Sequence, residues 1–251
     1  MNKIVLIPGG SGGIGSEVAR RIAANGDRPV LVAREGERLA ATAARIGAAA
    51  YTADVLDDAG FGALVERVET DVGAIDAVVH AVGSVFIKPL HATSLADWRA
   101  TLETNATSAF IVLRHVLPRL MRRKRGSVVL FSSAATATGL QHHESIAAAK
   151  SAVEGLVRSA AISYARYGVR VNAVAPALTR TGLSQQLWQS DALLAASVAM
   201  HPLGRIGEPA DIAAAVMYFL SDESAWTTGQ VLGVDGGLGT GMPAPRIAPP
   251  R

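Results

Sequence analysis

The chain has 251 residues, a length that one large domain accommodates, with 49% hydrophobic against 18% charged residues, which excludes a disordered, charge-rich polypeptide and allows a sizeable core. The absence of cysteine excludes disulfides, thiolate metal sites and cysteine nucleophiles. A formal net charge of +3, aromatic residues at 5% and no apolar run near ~20 residues argue against nucleic-acid and membrane partners, leaving a cytoplasmic protein that acts on a small-molecule substrate as the expectation.

From the first residues, runs rich in valine and isoleucine alternate with helical periodicity, the layout of parallel strands joined by crossover helices, so the expected class is α/β. Strands are expected at 3–8, 29–33, 49–52, 74–80, 127–132, 170–175 and 230–234. Several lack polar alternation, which requires cover on both faces of one seven-stranded, doubly wound sheet. Helices are expected at 13–25, 35–46, 59–72, 95–121, 145–167 and 208–220, with the basic run Arg122, Arg123, Lys124, Arg125 as a solvated helix end. The connection 177–201, with Leu183, Leu187, Leu193 and Leu194, reads as a substrate lid. Residues 1–238 thus form one domain, and 239–251, with Pro243, Pro245, Pro249 and Pro250, an extended or mobile tail.

The first strand runs directly into Pro8, Gly9, Gly10, Ser11, Gly12, Gly13, Ile14 and Gly15, and a helical pattern follows through Val18 and Ile22. Glycines allow a sharp turn and close backbone approach to a diphosphate, while free N–H groups at the helix start stabilise the anion. A dinucleotide fits such a site. The spacing of Gly9, Gly13 and Gly15 differs from the commoner G-x-G-x-x-G.

With these glycines stand Asp54 and Val55, Asn105 on the long central helix, Ser133 after the fifth strand, Lys150 on the next helix, Asn172 to Pro176, and Val234 to Gly237. In this order and spacing the sequence resembles the short-chain dehydrogenase/reductase family, single-domain Rossmann enzymes, over nearly the whole chain. The resemblance implies a nicotinamide cofactor held by Gly9, Ser11, Gly13, Ile14, Gly15, Asp54, Val55, Ala81, Gly83, Lys150, Pro176 and Thr181. It also implies assembly as a homotetramer or dimer through the helices at 95–121 and 145–167. At the end of the second strand, where a carboxylate would bind the ribose of NAD, the chain has Ala33 and Arg34, so Arg34 on a 2′-phosphate favours NADP (NADPH) over NAD.

Adding a hydride to a carbonyl requires a proton donor and a hydrogen bond to the developing oxygen anion. In the resembled family these come from tyrosine and serine, with lysine and asparagine in support; Ser133, Lys150 and Asn105 match three of the four. The tyrosine would lie four residues before Lys150, where this chain has Ile146. His80, Ala81, Val82 and Gly83 are reminiscent of the enoyl-reductase branch, whose tyrosine lies seven residues before the lysine, at His143 here. Seven residues return within about 20° of the same helix face, and imidazole exchanges protons nearer neutrality than phenol, so His143 is the candidate substitute donor. Two functions follow as expectations: an NADP(H)-dependent oxidoreductase for a small hydrophobic C=O, C=N or activated C=C substrate, or a catalytically inactive dinucleotide-binding subunit of a homo- or hetero-oligomer.

Overall fold

In the computed structural model, which describes residues 2–241, seven strands form a single parallel sheet: β1 (Ile4–Pro8), β2 (Arg28–Ala33), β3 (Ala49–Thr52), β4 (Ala77–Val79), β5 (Gly126–Phe131), β6 (Val169–Pro176) and β7 (Val231–Val234). Their order is β3-β2-β1-β4-β5-β6-β7. The winding reverses between β1 and β4, and the carboxyl ends of these strands open the crevice where ligands of such sheets bind.

β1 has no polar residue because both of its faces are covered. Ile4 and Leu6 pack into one core layer, with Phe61, Val112 and Val153, while Val5 and Ile7 pack into the other, with Val18, Leu39 and Ile212. The first layer is supplied by helices α3 (Asp58–Asp71), α5 (Ser108–Arg123) and α6 (Glu144–Ala165). The second is supplied by α1 (Gly13–Ala24), α2 (Gly36–Ile46) and α8 (Pro209–Leu220). On the outer side of the first layer, Phe110 of α5 and Ile162 of α6 stay exposed on the two helices that the family resemblance assigns to assembly.

Four expectations need correction. The helix expected at 95–121 is α4 (Leu95–Leu102), a π-helical segment at Glu103–Thr107, and α5. β4 begins only at Ala77, because Asp76 before it acts as a polar anchor: its carboxylate accepts from Ile4 N at 2.9 Å and pairs with Arg123 and Arg125. Part of the basic run is therefore tied to Asp76 rather than simply solvated. The tail starts later than expected, since Leu238–Thr240 is a 3₁₀ turn with buried Leu238, held by the Asp235 carboxylate accepting from Gly237 N and Gly239 N. Residues 242–251, with the four prolines, lie outside the described residues. The connection 177–201 contains a 3₁₀ segment (Gly182–Leu187) and helix α7 (Asp191–Ala199), which has no buried residue. No helix among the described residues is long and apolar enough to cross a membrane.

Candidate active site

A cleft of about 470 Å³ lies at the winding reversal. Gly9 leaves β1 at φ +84°, and a Cβ there would stand 2.5 Å from the Ala81 carbonyl, so the first turn rests directly on the chain leaving β4. Gly12 caps α1 without a side chain and the first turn holds no acid, so its N–H groups, with no side-chain acceptor, border the cleft. An anion is the complementary ligand.

Of the residues expected to hold cofactor, Gly9, Ser11, Gly13, Ile14, Gly15, Arg34, Asp54, Val55, Ala81, Gly83 and Thr181 line this cleft. Lys150 and Pro176 line the adjoining pocket instead. Asp54 turns part of its carboxylate inward, accepting from Leu56 N at 3.0 Å. Arg34 makes no ion pair among the described residues, and Arg38, one helical turn later, lines the same cleft while pairing with Glu35 at 3.3 Å. Arg38 was absent from the sequence expectation, although its i+4 spacing from Arg34 was the signal.

A second pocket of about 320 Å³ shares Ile14, Ala81, Val82, Gly83, Thr181 and Leu183 with the first. Ser133, His143, Ile146 and Lys150 line it, and the connection 177–201 contributes Leu187, Ser197 and Met200. Ser133 begins a 3₁₀ turn; its Oγ accepts from Ala135 N at 3.2 Å, which leaves the hydroxyl proton without an acceptor among the described residues. Beneath it the Glu154 carboxylate accepts from Ser132 Oγ at 2.7 Å and Thr136 Oγ1 at 2.6 Å, fixing the loop. Lys150 is 7% exposed and donates to Phe131 O at 3.0 Å; burial pushes its ammonium down to about 8.

Asn105 lies in the π-helical segment, fully buried. Its Nδ2 donates to Thr101 O and Ser84 Oγ, both at 2.9 Å, and its Oδ1 accepts from Ser84 N at 3.1 Å. Those bonds tie the side chain to Thr101 of α4 and to Ser84 in the loop after β4. A Cβ on Gly83 would meet Asn105 Oδ1 at 3.1 Å and Lys150 Nζ at 3.4 Å, so this glycine lets the two approach.

His80 braces the same segment. Ser108 Oγ donates to Thr104 O at 2.6 Å, so the His80 Nε2 contact with Ser108 Oγ at 3.0 Å has the ring N–H as donor. Burial, and then the nearby Lys150 ammonium, lower its pKa to about 3, keeping the ring neutral.

His143 is the residue that caps α6, not a member of its helical face. It reaches the pocket as expected, yet its Nδ1 lies 2.7 Å from Gln141 O and must carry the proton, so Nε2 donates only when the ring is cationic. Ile146 is 6% exposed and presents carbon alone. The four tyrosines, Tyr51, Tyr164, Tyr167 and Tyr218, all lie outside the lining of both cavities. No group of three or more metal-ligating side chains comes together among the described residues.

A family model described as enoyl-(acyl carrier protein) reductase matches residues 9–239, and together with the parallel sheet and paired cavities this establishes the class: the chain belongs to the short-chain dehydrogenase/reductase family of oxidoreductases. It is 35% identical to 2-(S)-hydroxypropyl-CoM dehydrogenase 3 of Xanthobacter autotrophicus, over 94% of this chain and 96% of that one. It is also 35% identical to the inactive 2-(S)-hydroxypropyl-CoM dehydrogenase 2 of the same organism, over 88% of this chain and 99% of that one. Among solved structures, actinorhodin polyketide ketoreductase with NADPH superimposes with a TM-score of 0.92 at 29% identity, covering 95% of this chain and 98% of that one.

Proposed function

We propose that the protein is an NADP(H)-dependent oxidoreductase that reduces a small, largely apolar C=O, C=N or activated C=C compound, or catalyses the reverse reaction. The observation that carries this reading is the pairing of Ser133 and Lys150 in an apolar pocket that shares a wall with the glycine-turn cleft. The cleft suits a dinucleotide on physical grounds: uncapped N–H groups face a diphosphate, and unpaired Arg34, with Arg38 beside it, suits a 2′-phosphate. A bound reduced nicotinamide supplies the hydride.

Ser133 contributes its free hydroxyl proton as a hydrogen bond to the oxygen or nitrogen that gains negative charge. Val85, Ile87, Leu140, Ile146 and Leu187 exclude water, which strengthens that bond. Because Ile146 stands where the family carries tyrosine, another group must supply the proton. Lys150 is the more direct source: held at about 8, its ammonium releases a proton near physiological pH, whereas His143 must first become cationic at Nε2.

The alternative, an inactive dinucleotide-binding subunit, draws support from Ile146 and from the inactive relative. NADPH oxidation followed by stopped-flow against ketone, imine and enone panels separates the two. The oxidoreductase reading expects turnover with at least one class. Silence with all of them, together with ketone reduction gained on Ile146→Tyr, establishes the inactive subunit. If the native protein is active on ketones, the same substitution is expected to raise kcat by about 100-fold, as a positioned acid does.

A further inference from the structure

The pocket that Ser133 lines is also bordered by a residue whose buried polar atom has its capacity unused. His201 follows α7 and is 4% exposed. Its Nδ1 lies 2.7 Å from Ser197 O; a carbonyl only accepts, so Nδ1 carries the proton and Nε2 of the neutral ring presents a lone pair. Nε2 is buried without a hydrogen-bond partner among the described residues, and His201 stands between this pocket, beside Leu178, Met200 and Leu238, and a neighbouring cavity bordered by Leu203, Arg205 and Gly236. Such an acceptor is costly to leave unmet.

The ring is also held in place. Ser197 Oγ donates to Leu187 O at 3.1 Å, so one residue ties both arms of the lid and orients His201. Gly204 N donates to His201 O at 2.8 Å, and Leu203 N donates to Gly236 O at 3.0 Å, fastening this segment to the chain after β7. Ser133 follows β5, and the segment of His201 is fastened beside the chain after β7, two inter-strand spacings, roughly 10 Å, from β5.

We propose that His201 is the specificity-determining residue of this pocket, its Nε2 accepting a hydrogen bond from a substrate hydroxyl or N–H. The substrate class is then a small carbonyl, imine or enone compound with a donor group separated from the reducible bond by an apolar ring or short chain. Placing the reducible bond at Ser133 rests on the oxidoreductase reading above; the acceptor at His201 does not.

Two probes of similar shape test it, 4-hydroxycyclohexanone and 4-methylcyclohexanone. Isothermal titration of the cofactor-free protein is expected to give at least a ~10-fold lower Kd for the hydroxylated probe, and turnover with NADPH the same preference through KM, because a site built around an acceptor discriminates against a ligand lacking the donor. His201→Asn keeps an amide donor where Nδ1 stands and removes the Nε2 acceptor, so the lid tie survives and the preference is lost. His201→Gln, whose carboxamide reaches as far as Nε2, restores most of it. Equal affinity for the two probes, lack of binding by both included, or a preference that His201→Asn leaves intact overturns the assignment. A binding preference lost in His201→Asn while neither probe is reduced upholds His201 and counts against the oxidoreductase reading. Equal binding with turnover of both does the reverse.

Discussion

The two cavities share a wall yet are built on different principles. The glycine-turn cleft is formed at the end of β1, a strand buried on both faces, by Gly9, Gly12, Gly13 and Gly15, and its shape follows from the close approach of Gly9 to Ala81. The second pocket is bordered by α7, which has no buried residue, and by a 3₁₀ segment whose one buried residue is Ser184, both tied down by hydrogen bonds such as those of Ser197. The comparison teaches that one cavity is inseparable from folding, whereas the other is attached to a fold already complete.

The sharpest way to break this contrast is a pair of identical small changes. Gly9→Ala forces a Cβ to 2.5 Å from the Ala81 carbonyl at a left-handed φ, while Gly182→Ala meets nothing within 4 Å. The first is expected to cost about 3 kcal/mol in urea denaturation and to remove NADP(H) binding, the second less than about 0.5 kcal/mol. Similar losses in the two variants would dissolve the distinction.

Charge at the far end of the cleft gives the next largest effect. Arg34→Asp is expected to weaken NADP by roughly 10- to 100-fold, the worth of a lost charge-assisted hydrogen bond, and to bring NAD affinity level with it or above. Titration of both cofactors against the variant checks this, and an unchanged NADP affinity assigns the 2′-phosphate elsewhere.

A smaller effect sits at buried His80. Unfolded His80 takes up a proton as pH falls through about 6.5, whereas the buried ring, disfavoured by desolvation and by Lys150, does so only near 3. The unfolded state binds more protons between those values, so stability falls as pH drops from about 6.5 toward 3. Relative to the native chain, His80→Asn is expected to lose about 1–2 kcal/mol less between pH 7 and pH 5 in urea denaturation. Equal losses would mean that the ring is protonated in the folded state.

Much of the architecture was legible before any coordinates. Seven apolar runs corresponded to all seven strands; β1, β2, β4, β5 and β6 are mostly buried on both faces and so carry few polar residues, whereas the edge strands β3 and β7 keep no buried residue and were read from apolar runs alone. The strand order was not in the periodicity, which marks strands along the chain but not which of them lie side by side. The π-helical segment escaped notice because the hydrophobic spacing runs on through it, and the widened turn depends on side-chain bonds from Asn105 to Thr101 and from Ser108 to Thr104. Ile146 was readable from its four-residue offset to Lys150. His201 was not, since nothing local marks it: the chain must fold back along α7 before the ring meets the pocket, and only burial exposes its unused lone pair.

Helix α7 sends no side chain into either core layer, so its sequence is almost free of folding constraints. Random change there is tolerated by the sheet and meets the pocket directly only at Ser197. Descendants of such a protein can thus reshape this rim of the pocket around Ser197 while the glycine turn and the sheet beneath it are inherited unaltered.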